Sequence, residues 1–272
     1  MRLSDPAVWA ARPWEAVADA DLAPALAVPS MLSAEEARLY HWVGREAEGI
    51  GAVVDLGAFA GGSAARLLSG LRPGMRLHAF DRFRADPKVQ RRFLGGVMEP
   101  GDAEADILPL ARRLLAPWGE AVTLHQGDIA EASWDGPIEV LAHDAGKTDR
   151  VADAIARGFF PALVAGRSVV LHQDFLHAAQ PWLAAQAVCL RDCLQAVARV
   201  GRDCVAFLWT SPATPERLAA ARLEGMDDAR LLDLIGEAAG WLGPLAGPEP
   251  FRAMREAVRA HPGERRAWRM RR

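Results

Sequence analysis

Residues 53–63 read VVDLGAFAGGS. A strand-like apolar run carries Asp55 near its end and passes into a turn with Gly57 and Gly61, four apart, before a helical stretch that starts near Gly62. A turn built for a dinucleotide pyrophosphate needs G-x-G-x-x-G, so that backbone amides and a helix N-terminus meet the phosphates. The central glycine is missing here, and an acid just before the turn repels phosphate. The pattern instead suits a ligand that presents a cation at that point, with glycine letting the backbone pass close beneath it.

Working outward, apolar runs of strand length alternate with helical segments. GAVVDL (51–56), MRLHAF (75–80), AVTLHQ (121–126), IEVLAH (138–143) and SVVLHQ (168–173) read as five strands, and TDRVADAIARGFFPAL and AAQPWLAAQAVCLRD as helices. Strands separated by helices predict parallel βαβ units. LQAVARV and CVAFLWT flank the short turn Gly201-Arg202-Asp203, which predicts an antiparallel hairpin. The expected fold is α/β, a doubly wound, Rossmann-like seven-stranded sheet of five parallel strands plus an antiparallel terminal hairpin.

Helical additions are expected at both ends. Residues 1–50 form a lead-in, with Ser33 and Glu36 making a capping-box signature. Residues 51–211 form the core, with a helical insertion at 86–119, and 212–272 a helical extension broken at GPLAGPEP. The ending ERRAWRMRR reads as a solvated or frayed tail.

A net charge of −3 gives no electrostatic footprint for nucleic acid. No apolar stretch reaches the about 18 residues of a membrane span, and the start lacks a signal peptide's apolar centre. A soluble, cytoplasmic protein is expected. Three cysteines are too few for a disulfide framework, and Cys189 and Cys193, four apart, are expected as small core residues on one helix face.

Ligands of an open parallel sheet bind beyond the carboxyl ends of its strands. Asp81, Asp128, Asp144 and Asp174 each sit at or just beyond such an end, and Asp55 precedes the first turn. Asp81 is placed to accept hydrogen bonds from both hydroxyls of a ribose.

The ordered set VVDLGAFAGGSAARLL, LHAFDRF and HQGDI resembles the motif series of class I S-adenosylmethionine-dependent small-molecule O-methyltransferases of the macrocin and catechol type, over about residues 31–210. The resemblance implies that Asp55, Gly57, Ala58, Phe59, Gly61 and Ser63 line the methionine end of the cofactor. It implies that Asp81 and Arg82 lie at the ribose, that Asp128 and Ile129 border the adenine, and that Asp144 lies near the transferring methyl.

Methyl transfer is an in-line displacement, so the protein must align the acceptor and remove its proton. A lysine of lowered pKa or a metal ion can serve that end. The D-x-x-K spacing of Asp144 and Lys147 is similar to the pair that, in catechol-type enzymes, joins a metal ligand to a lysine base. The resemblance places further ligands after the fifth strand as adjacent Asp-Asp or Asp-Asn, whereas this chain has His172-Gln173-Asp174. Asp144, Asp174 and Gln173 are the residues that would hold Mg²⁺. A metal-free route uses His172 or Asp174 as base, with Lys147 or Asp144 orienting the acceptor. His125, His143 and His177 show no partner pattern.

The reading is methylation of a small-molecule hydroxyl, on a sugar or natural product, by a protein forming a homodimer. Two alternatives are weighed: a non-catalytic S-adenosylmethionine-binding scaffold, and an NAD-dependent oxidoreductase, disfavoured by the missing G-x-G-x-x-G. A nucleic-acid methyltransferase lacks support, because H-D-A-G and no N-P-P-Y-like motif follows the fourth strand. Trp9, Trp14, Phe93, Phe175 and Trp182 are either pocket walls or core.

Overall fold

The strands are β1 (Ala52–Leu56), β2 (Leu77–Asp81), β3 (Val122–Gln126), β4 (Ile138–His143), β5 (Val169–His172), β6 (Leu194–Val200) and β7 (Cys204–Trp209). They come from a computed structural model that describes residues 2–99 and 105–270. All seven lie in one sheet of order β3-β2-β1-β4-β5-β7-β6. The pairings of β1 with β2 and of β2 with β3 are parallel, in registers such as Val54 opposite His78 and Ala79 opposite Leu124. The closing hairpin is antiparallel: β7 pairs with β5 on one side and β6 on the other, with a bulge between Ala196 and Ala198. β4 and β5 are buried along their whole length, which explains why they are mostly apolar, Glu139 and the closing His143 and His172 apart.

The chain divides into two compact units. The first comprises Met1–Ile129 with Ile138–Ala142. Its lead-in contains the Ala34–Glu46 helix, where Ser33 accepts from the Glu36 N–H and the Glu36 carboxylate accepts from the Ser33 N–H, a complete capping box. Trp9, Trp14 and Trp42 pack together with ring centroids 4.9–5.9 Å apart and are fully buried. Trp9 and Trp14 are therefore core rather than pocket wall. Buried Glu139 on β4 accepts the N–H groups of Glu48, Gly49 and Ile50, fixing the loop that leads into β1.

The insertion expected at 86–119 contains helices Pro87–Phe93 and Leu108–Leu115 and a 3₁₀ stretch Ala116–Ala121. Its residues 100–104 lie outside the described residues.

The second unit comprises Ala130–Pro137 with His143–Arg272. Thr148 caps the Asp149–Phe159 helix by accepting from the Val151 N–H at 3.1 Å. The Pro181–Cys189 helix packs against the long Asp228–Ala246 helix. Phe175 and Trp182 are buried at 0% and 1% exposure and belong to this core. Cys189 ends its helix and Cys193 falls in the following 3₁₀ turn, so the two do not share a helix face as their spacing implied.

The C-terminal Arg-rich segment also departs from expectation. Arg266 bridges antiparallel to Thr148, Arg265 donates to the Asp228 carboxylate at 2.7 Å, and Met270 is buried. Residues 264–270 are docked; 271–272 lie outside the described residues. No helix among the described residues is long and apolar enough to cross a membrane.

Candidate active site

In the first unit the site is the turn after β1 and the ends of β2 and β3. Gly57 and Gly61 adopt φ of +92° and +94°, where a side chain is strained. A Cβ on Gly61 would also lie 2.7 Å from Leu115 Cδ1, so packing as well as conformation requires glycine there. The turn spends its amides internally. Gly57 and Ala58 donate to the Phe80 carbonyl at 2.9 and 3.4 Å, Gly61 to the Ala58 carbonyl at 2.8 Å, and Phe59 to Asp81 Oδ2 at 3.0 Å. A phosphate would find no nest of open N–H groups among them.

Asp81 organises the turn. Besides Phe59, the Phe83 N–H reaches its Oδ1 at 2.6 Å. Both donors hold positive φ, +51° and +49°, an uncommon state for bulky residues. One carboxylate thus steadies two left-handed backbones. Burial pushes the Asp81 carboxyl above its ordinary pKa, and the two amide bonds offset this only in part. A carboxylate has about four acceptor positions, so two amides leave it able to receive hydroxyls.

Asp55 is buried and receives the Ser63 hydroxyl at 2.6 Å, locking the acid under the helix start. Arg82 and Asp128 are exposed, and Ile129 is buried at the first position of a 3₁₀ turn. His125, without a legible partner in the sequence, meets His78 across the β2–β3 pair, with Nδ1 of His78 3.0 Å from its Nε2. It also stacks on Phe80 at 4.2 Å.

In the second unit the loops after β4 and β5 meet at Lys147. Its ammonium donates to Asp144 Oδ1 and, at 2.6 Å, to Asp174 Oδ2. Asp174 has φ +52°, and its Oδ2 also receives the Gln180 side-chain amide at 2.8 Å. The three charged side chains keep 35%, 39% and 26% of their surface open, so each pairing contributes about 1 kcal/mol or less. The arrangement therefore matters for position more than for stability.

Burial alone pulls the Lys147 ammonium down, but the two carboxylates outweigh it and hold its pKa above the ordinary value. Burial likewise raises Asp174, while the Lys147 charge leaves it net below the usual range. A lysine base made by desolvation is not what this geometry provides; the resting state is an ammonium between two carboxylates.

That finding gives the metal expectation no support. The space between Asp144 and Asp174 holds Lys147 Nζ, and among the described residues no group of three or more His, Cys, Asp or Glu side chains gathers for a metal. Gln173 is half-buried and donates its N–H to the His143 carbonyl at 3.0 Å. The donor set does not fit Mg²⁺, and no step is derived through one.

His143 and His172 stack with centroids 4.2 Å apart, both buried. Burial above all, with the Lys147 charge, pushes His143 well down and His172 to about 4, so both rings are neutral at physiological pH. Trp182, read from the sequence as pocket wall or core, and two residues that sequence reading passed over, Gln180 and Ala267, complete the centre. Trp182 Nε1 donates to the Gly146 carbonyl at 2.8 Å, Gln180 holds Asp174, and the Ala267 N–H reaches the Lys147 carbonyl at 3.0 Å. Gln180 and Trp182 stand in a Q-P-W run whose proline starts a helix, a local signal of a fixed element but not of its target.

No family model matches the chain, and no curated protein matches it. Solved structures do. The O-methyltransferase NovP aligns with a TM-score of 0.51 at 16% identity, over 67% of this chain and 82% of that one. That likeness establishes the methyltransferase-type fold. The SAH-bound methyltransferase PaMTH1 of Podospora anserina aligns at 0.48 and 14% identity, over 75% of this chain and 86% of that one. The O-methyltransferase TomG of Streptomyces achromogenes, involved in tomaymycin synthesis, aligns at 0.44 and 18%, over 66% and 82%. The fold assignment rests on the first.

Proposed function

We propose that this protein is an S-adenosylmethionine-dependent methyltransferase acting on a hydroxyl of a small molecule. The observation that carries the reading is the glycine turn: the amides of Gly57, Ala58, Phe59 and Gly61 are bonded within the protein while the Asp81 carboxylate is fixed by the Phe59 and Phe83 N–H groups with acceptor capacity to spare. Such a site suits a ribose diol and a cationic amino-acid end, and disfavours a pyrophosphate. The methyltransferase-type fold agrees with it.

When bound, S-adenosylmethionine supplies an electrophilic methyl on a sulfonium. Asp81 would accept from the ribose hydroxyls, Asp55 with Ser63 would shape the methionine end, and Asp128 and Ile129 would border the adenine. Lys147 would hold the acceptor oxygen through an ammonium N–H and favour its ionised form. Asp174 would take the proton released as the oxygen–carbon bond forms and the methyl–sulfur bond breaks, its electron pair leaving with the thioether S-adenosylhomocysteine. An adjacent ammonium lowers the acceptor's own pKa, so a weakly basic carboxylate suffices. His172, neutral with a pKa of about 4, would support the wall rather than accept the proton.

The test is acceptor-dependent release of S-adenosylhomocysteine from a panel of phenols, sugars and hydroxylated natural products. The reading expects turnover on at least one, lost about 100-fold or more in Lys147→Met while cofactor binding persists. Cofactor binding with no turnover on any acceptor would favour a non-catalytic, cofactor-sensing protein. NAD binding in place of S-adenosylhomocysteine would overturn both.

A further inference from the structure

We infer that the Lys147 ammonium is a built-in cation that stands where a divalent ion would otherwise bridge Asp144 and Asp174. Its part in turnover rests on the proposed function; its place between the carboxylates does not.

The geometry argues this from three sides. Lys147 Nζ bonds an oxygen of each acid, on loops after two different strands, which is the bridging role of a metal ion. Asp174 is held toward it by Gln180, whose amide shares the same Oδ2. The lysine main chain is pinned as well. Its N–H bonds the Ala145 carbonyl at 2.7 Å, its carbonyl receives the Ala267 N–H at 3.0 Å, and the preceding Gly146 carbonyl receives Trp182 Nε1 at 2.8 Å. Swinging Lys147 out to admit a metal would draw a side chain anchored at its root away from two acids. Leaving it in place would set two cations within a few ångströms of each other.

Hard cations seek clustered oxygens, and the carboxylates of Asp144 and Asp174, which now share one ammonium, are such oxygens once it is gone. Removing Lys147 should therefore create a divalent site. This outcome separates the inference from a plain salt bridge, whose loss would leave only an exposed acid pair.

The experiment is calorimetric titration of the full chain with Mn²⁺ after chelator treatment, checked by the electron paramagnetic resonance signal of the bound ion. The wild-type protein and Lys147→Arg, which keeps the cation, should take up no Mn²⁺ below about 1 mM, near the weak end of protein cation sites. Lys147→Ala should bind at least 100-fold more tightly, and the further change Asp174→Asn should abolish the gain. Lys147→Gln, which retains an N–H donor between the acids, carries the same expectation if Lys147→Ala does not fold. Micromolar uptake by the wild type, or a folded Lys147→Ala or Lys147→Gln without gained affinity, overturns the inference. S-adenosylhomocysteine is titrated into the same samples, so failure of the cofactor reading is scored separately from the metal result.

Discussion

The backbone N–H of Ala267 donates to the carbonyl of Lys147 at 3.0 Å, so the C-terminal segment holds the loop that carries the central ammonium. Next to that bond, Arg266 bridges Thr148. Arg265 is tied to the Asp228 carboxylate and the Met226 carbonyl at 2.7 and 3.0 Å, which anchors the segment to a long helix.

Ala267→Pro deletes that donor while leaving the charged centre intact. Losing one hydrogen bond costs about 0.5–1.5 kcal/mol, and the loosened lysine should lower kcat roughly 10-fold. S-adenosylhomocysteine affinity should stay within about twofold, since hydrogen bonds on this loop do not hold the glycine turn. Steady-state kinetics with parallel calorimetry reads both; an equal fall in cofactor affinity would show a general loss of structure instead.

Gly61→Ala tests the first turn. It forces a side chain at φ +94° and into Leu115 at 2.7 Å. Strain of this kind costs about 1–3 kcal/mol, so thermal unfolding should begin several degrees lower. An unchanged Tm would mean that the turn relaxes readily and that glycine there serves the ligand alone.

The stacked His143 and His172 set an acid limit on stability. Burial is the largest cause lowering both pKa values, His172 from 6.5 to about 4. A group with a depressed folded pKa binds protons more readily when unfolded, so stability rises with pH across that interval. Stability should therefore be full above about 6.5 and fall as the pH drops toward 4. His172→Phe should flatten that slope in urea titrations at pH 5 and 7; an unaltered slope would place the acid sensitivity elsewhere.

The sheet was legible because each strand announces itself. Fully buried β4 and β5 are largely apolar runs, broken in β4 by Glu139, and Gly201-Arg202-Asp203 marks the hairpin that puts β7 between β5 and β6. The strand-end acids were legible for the same reason. What they bond to was not. Asp81 bonds Phe59, 22 residues away, and Lys147 bonds Asp174, 27 away, contacts that periodicity does not encode. The protonation of Lys147 depended in part on the same long-range geometry, because Asp174 joins the local Asp144 in opposing the effect of burial. The Arg-rich ending misled because a charged run reads as solvated, whereas here Arg265 and Arg266 each find an acid and Met270 a buried place.

The central claim is that the glycine turn and Asp81 form an S-adenosylmethionine site. The most direct measurement is calorimetric titration of the purified protein and of Asp81→Asn with S-adenosylhomocysteine. Hydrogen bonds to a charged group contribute about 1.5–3 kcal/mol, so the account expects micromolar binding by the wild type, weakened roughly 10- to 100-fold in the variant. No binding by the folded wild-type protein, or equal binding by the two, would contradict it.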